Sequence, residues 1–325
     1  MRPATAVELA REIGMELTLE QARARMIAPP RCADQAELLT YFDLPITLLQ
    51  TGAALRRTTA ELIADMTADG LSYAEIRWAP RLHLRGGLSV HEVIEAVTLG
   101  IADAAQSIGP AMPLVGLIVT AMRSHPPAAN VALAETAAAF GVPVVGFDLA
   151  GPEAEYPMPP HAAAFRAAEA GGLGLTAHAG EVPGVQHLRE ALDLGVTRIA
   201  HGATAAQDAA IVDLLRERGV TLDMCPTSNL QAGIVADPAD HPLAALHRAG
   251  VSVTLSTDDR TVSNTSLSEE LARTASALNL SRRELAEIAL NGFRRGFAPR
   301  DARDARRAIA EPAWRDWADH APAIS

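Results

Sequence analysis

The sequence predicts an α/β fold, a (β/α)8 barrel of TIM type with extra helices and with its first strand missing. Three observations lead there. Short apolar runs of β type alternate with longer helical patterns from about residue 70 onward, an order that forces parallel pairing through right-handed crossovers. Nearly every run ends in a polar or reactive residue: Arg77, Thr120 with Arg123, Asp148, His178, His201, Cys225 through Asn229, and Asp258 with Asp259. A barrel brings all such ends to one mouth, whereas a doubly wound sheet joins only those beside its switch point. No Gly-rich dinucleotide fingerprint follows any run, because GGLGL at 171–175 leads into its strand instead.

Along the chain, segments 3–27 and 33–69 read as helices. Strands are expected at 71–79, 112–120, 142–149, 173–178, 196–201, 220–225 and 251–256, separated by helices near 89–106, 127–140, 158–170, 184–194, 204–218 and 238–249, where apolar residues recur at helical spacing. The tail from Leu267 to about Ala310 reads as further helices. Seven strands are one short of a closed barrel of this type, and the deficit lies at the N-terminus, where Met1 runs almost directly into a helix. The strands at 71–79 and 251–256 are therefore expected to face each other with unpaired edges, which implies reduced stability or pairing with another copy, a homo-oligomer. No repeat, low-complexity tract or Pro/Gly linker divides the chain, so residues 1–325 are expected to form one domain.

Composition narrows the function. With 49% apolar and 21% charged residues the chain is of globular type. All 28 basic residues are Arg, which excludes a lysine Schiff base and a P-loop lysine. A net charge of −11 and a pI near 5.4 disfavour nucleic acid and anionic membranes as partners. The longest apolar stretch, around Met112 to Met122, is short of the roughly 20 residues of a membrane helix, and the first residues lack a signal-peptide pattern. Cys32 and Cys225 are too few for a disulfide framework or a thiolate cage. A cytoplasmic location is expected, and any metal has to be held by His and carboxylates.

The chemistry-bearing motifs sit at strand ends. HAGE at 178–181 sets a metal-ligand type, His178, three residues before an acid, Glu181; alone, the pattern equally suits a structural role. RIAHG at 198–202 adds His201 at the next strand end, which in isolation reads as a hydrogen-bonded core histidine. STDD at 256–259 ends the last strand with Asp258 and Asp259, a pair that elsewhere serves as helix caps. CPTSN at 225–229 and DLAGPE at 148–153 read equally as turns or as ligand contacts, with Gly151 offering a backbone N–H or making a turn. Together they have a hydrolytic logic. Zinc held by imidazole and carboxylate brings bound water to a pKa of roughly 7, and a neighbouring carboxylic acid can protonate a ring nitrogen.

The ordered set DLAGPE, LTAHAGE, RIAHG, CPTSN and STDD, with LSYAEIRWAP upstream, resembles the adenosine deaminase family of the amidohydrolase superfamily, from about Pro3 to about Pro299. The resemblance implies a barrel with one catalytic Zn2+ and hydrolysis of adenosine or 2'-deoxyadenosine to inosine and ammonia. It makes His178 and Asp258 metal ligands, Glu181 the acid that protonates purine N1, and His201 the group that activates or orients the water. Asp259 would meet N7 and the Gly151 N–H would meet N3, while Leu38 and Leu39, on a helix at 34–41, would form an apolar lid. The expected partner is a small purine nucleoside.

The family also carries an H-x-H pair on its first strand, which supplies two metal ligands. That pair is absent here: the first histidine is His83. His178 and Asp258 are then two ligands where a catalytic zinc has at least three, and His83, His125 and His161 lack the spacing to replace the pair. The favoured expectation is a sequence that starts at an internal Met of a complete deaminase. The alternatives are a metal-poor purine-binding relative without deaminase activity, and an enzyme with different chemistry on a related ligand that uses Glu181, His201 and Asp259 without the full metal site; among conventional enzymes the runner-up is deamination of another 6-aminopurine derivative.

Overall fold

Runs rich in Val, Ile and Leu make strands here because helices cover one face of each and the barrel interior the other. In the computed structural model, which describes residues 1–320, they are β1 (Tyr73–Trp78), β2 (Leu114–Met122), β3 (Val144–Ala150), β4 (Gly174–Ala179), β5 (Arg198–His201), β6 (Thr221–Met224) and β7 (Ser252–Leu255). The last five residues of the expected domain lie outside the described residues. Every neighbouring pair is parallel, and the strands lie in sequence order from β1 to β7. Among the described residues β1 and β7 do not pair, so the curled seven-stranded sheet stays open along one seam. Helices pack around it, several begun by capping boxes legible in the sequence, such as Ser89 with Glu92 and Ser281 with Glu284. No described helix is long and apolar enough to cross a membrane.

The seam is less bare than the strand count implied. Ser256 donates its N–H to the Met224 carbonyl on the β6 side, so the alternate residue Val253 turns its backbone groups to the open side. There the Asn291 carboxamide, on the helix Arg282–Arg295, donates to the Val253 carbonyl at 3.0 Å. A side chain thus satisfies a group that a missing strand would otherwise have taken. Asp69, just before β1, accepts from Arg260 at 2.9 Å and from the Leu267 N–H at 2.9 Å, both of which follow β7. Beyond the helix Arg282–Arg295, the Phe297 N–H donates to Glu75 and the Ala298 N–H to the Tyr73 hydroxyl, joining that segment to β1.

Inside the barrel, charge does the joining. Arg198 on β5 pairs with Glu75 on β1 and, at 2.8 Å, with Asp223 on β6. Arg77 on β1 reaches Asp223 at 3.4 Å and Asp148 on β3 at 3.8 Å. Thr254 on β7 donates to Asp223 at 2.7 Å. The Phe297 ring lies 4.2 Å under the Arg198 guanidinium, a cation–π contact at the floor of the network. Burial would draw the Arg198 pKa down, but Asp223 and Glu75 outweigh it and push it up. Replacing Arg198 with Met leaves the buried Glu75 carboxylate without its cation and Asp223 with only its longer ion pair to Arg77, and a loss on the order of 3–5 kcal/mol is expected in urea unfolding; a loss under ~1 kcal/mol would remove the network from this role.

Candidate active site

The mouth of the barrel is built from strand ends whose backbone is bent to aim side chains inward. His201 closes β5 with φ 67°, and Asp258, beyond β7, has φ 53°. Among the described residues the other non-glycine positions with positive φ are Asn264 and Asn279; what sets His201 and Asp258 apart is that both lie at or just past strand ends and meet in one cluster, where an uncommon backbone is held in place by its surroundings. The loops after β4 and β5 touch through glycines. A Cβ on Gly180, whose φ is 82°, would stand 3.0 Å from the Gly202 Cα.

Three ligand atoms, one each from His178, His201 and Asp258, lie within 4.8 Å of one another. The His178 Nδ1 is held by Asp148 at 3.1 Å, which leaves Nε2 as its free ring atom. Asp258 takes a hydrogen bond from the Ser228 hydroxyl at 2.8 Å. Asp258 is solvent-exposed; partial desolvation would raise its pKa, but His201 and His178 outweigh it and hold the carboxylate below its usual range. Imidazole and carboxylate donors gathered this way suit zinc and related cations, so the residues present fit a metal. His83 is committed to the Leu49 carbonyl at 2.8 Å, and His161 to Asn130 and the Arg123 carbonyl at 3.0 and 3.1 Å. Neither joins the cluster, and nor does His125.

Glu181 stands beside these groups, its Oε1 3.5 Å from His201 Nε2. Its backbone is pinned by the buried Glu153, whose carboxylate accepts from the Gly180 and Glu181 N–H groups at 2.9 and 2.8 Å. Burial and the neighbouring Glu181 raise the Glu153 pKa. Asp259 spends Oδ1 on the N–H groups of Thr261 and Val262, at 2.9 and 2.8 Å, so it is a turn cap with its second oxygen left over. Gly151 follows β3 with φ 112°.

A sequence profile described as adenosine deaminase matches residues 1–311. The chain belongs to the adenosine deaminase family. It is thereby among the hydrolases that act on C–N bonds. An adenosine deaminase of Mycobacteroides abscessus is 35% identical over 322 residues, covering 93% of this chain and 88% of that protein. The crystal structure of an adenine deaminase from Arthrobacter aurescens superposes with a TM-score of 0.86 at 27% identity, covering 98% of this chain and 95% of the other. An amidohydrolase from Burkholderia ambifaria, solved with bound Zn, gives 0.88 at 25% identity, covering 98% and 88%.

Against the adenosine deaminase motifs, the structure brings His178, Glu181, His201 and Asp258 together, as the barrel reading required. The helix Gln35–Thr40 is less simple: Leu38 is buried against Ala28, Cys32 and Val262, while Leu39 is 36% exposed. The residue of that helix that reaches the site is Gln35, which donates to Glu181 at 2.8 Å. Sequence reasoning missed Gln35 and His241, and it singled out DLAGPE and CPTSN without finding the tasks of Glu153 and Asn229, because their partners are brought near only by folding.

Asp148 makes a pH prediction. Burial alone would push its carboxyl up, but His178, Arg77 and Thr120 bring it down to about 2 from the usual 3.8. A depressed folded-state pKa stabilises fully above the usual value, and that contribution is lost as pH falls toward about 2. Its size is on the order of 2 kcal/mol. Urea midpoints followed from about pH 5 to about pH 2 should fall less steeply in Asp148→Asn than in the parent; parallel curves would refute this. Glu153→Ala strands two buried N–H donors and should cost about 1–3 kcal/mol in the same assay.

Proposed function

We propose that the chain hydrolytically deaminates a 6-aminopurine nucleoside, adenosine or 2'-deoxyadenosine, to the 6-oxo nucleoside and ammonia. The observation that supports this most is the meeting of Glu181 with His178, His201 and Asp258 at one mouth. His178 and Asp258 would hold zinc, which when bound supplies Lewis acidity toward water. Glu181 protonates ring N1, which makes C6 electrophilic; the water oxygen bonds to C6, one of its protons returning to the Glu181 carboxylate and the other passing to the amino group, which leaves as ammonia as the 6-oxo group forms. His201 orients that water. The oxygen of Asp259 not used in its turn would take part in a hydrogen bond with N7, and the Gly151 N–H would meet N3. Asp148 and Arg77 keep the His178 ring from turning.

Ammonia release from adenosine with zinc supplied tests the reading. Glu181→Gln should lower turnover about 10²–10⁴-fold, and a chelator should abolish it reversibly. Since a structural relative is named an adenine deaminase, adenine is the informative second substrate. Ammonia from adenine and none from adenosine would move the assignment to the free base, and none from either would leave a purine-binding protein without this chemistry.

A further inference from the structure

Behind His201 runs a chain of hydrogen bonds whose direction is set at its far end. The Leu243 N–H, at the start of the helix Leu243–Arg248, meets His241 Nδ1 at 3.3 Å. A backbone amide can only donate, so His241 Nδ1 accepts, and the ring carries its hydrogen on Nε2. A cationic His241 would set one N–H against another; burial, followed by His201, holds its pKa down to about 4. His241 Nε2 lies 3.0 Å from Asn229 Oδ1 and donates to it. The amide nitrogen of Asn229 then donates to His201 Nδ1 at 3.1 Å. Turning the Asn229 amide round would oppose its NH2 to the His241 N–H, so the orientation is determined by partners and not by atom labels. The side chains involved are buried: His201, Asn229 and His241 are 2%, 0% and 3% exposed.

We propose that Asn229 and His241 are positioning residues that fix neutral His201 as its Nε2–H tautomer, so that it offers the reacting centre an N–H donor and no lone pair. The assignment builds on the site proposed above and narrows His201 to one task. A ring with hydrogen on Nε2 neither binds a cation there nor takes a proton there. It donates to the oxygen of the attacking water and orients it. Of the three converging ligand atoms, those of His178 and Asp258 remain for a cation, one fewer than the three protein ligands of an ordinary catalytic zinc.

Long-range 1H–15N NMR of the full chain labelled at histidine reads tautomers directly, with His201→Gln assigning the resonance. Wild-type His201 should show the Nε2–H pattern; the Nδ1–H pattern would overturn the proposal. In Asn229→Asp the carboxylate only accepts, so His201 should switch to Nδ1–H, and a retained Nε2–H would overturn it. If that variant does not fold, Asn229→Ala removes the bond without adding charge and should give both forms; a single Nε2–H form would again overturn it. Added zinc should shift His178 and leave the His201 tautomer unchanged, and conversion of His201 to Nδ1–H by zinc would refute the assignment. No zinc shift at His178, with His201 still Nε2–H, would sink the metal reading while upholding the tautomer.

Discussion

The Arg198 guanidinium, buried between Glu75 and Asp223, is the interaction on which the rest depends. A seven-stranded sheet lacks the last ladder of backbone hydrogen bonds that would close it, so β1 is held by a strand ladder on its β2 side alone. Charge across the interior takes over that duty, binding β1 to β5, β6 and β3. Buried ion pairs are weak grounds for stability in themselves, since desolvation consumes most of the attraction. Their value here is geometric: a planar guanidinium between two carboxylates tolerates little displacement.

The same network runs upward into the chemistry. Arg77 leads to Asp148, and Asp148 to the His178 ring, so the orientation of a candidate ligand is tied to the barrel's closure. The strained backbone at His201 and Asp258 sits on this base. Unfavourable dihedrals survive only where surrounding structure overdetermines them. The Gly180 and Gly202 contact, the Glu153 clasp and the Ser228 hydroxyl provide that constraint.

Much of this was legible in the sequence because it is local. Strand and helix periods gave the order of elements and the count of seven, and polar residues at strand ends gave His178, Glu181, His201 and Asp258. What was not legible depends on distant partners. Glu75 and Arg198 stand 123 residues apart, and nothing in RIAHG announces that its arginine points into the barrel. Asn291 reads as an ordinary helix residue until its partner carbonyl on β7 is known. His241 looks like a loop histidine before a proline, and only folding reveals the donor on one side of it and the amide on the other. Asp259 shows why two readings of one residue need not compete: its first oxygen caps a turn, as a bland reading held, and its second stays free.

The bond from Gln35 joins the helix Gln35–Thr40 to the site's acid. Glu181 thus takes its contacts from two distant parts of the chain, the Gln35 carboxamide on one side and the His201 ring on the other. The orientation of the acid is therefore tied to the packing of an N-terminal helix that carries none of the clustered ligand atoms, and that helix can tune the acid without touching the metal-binding set.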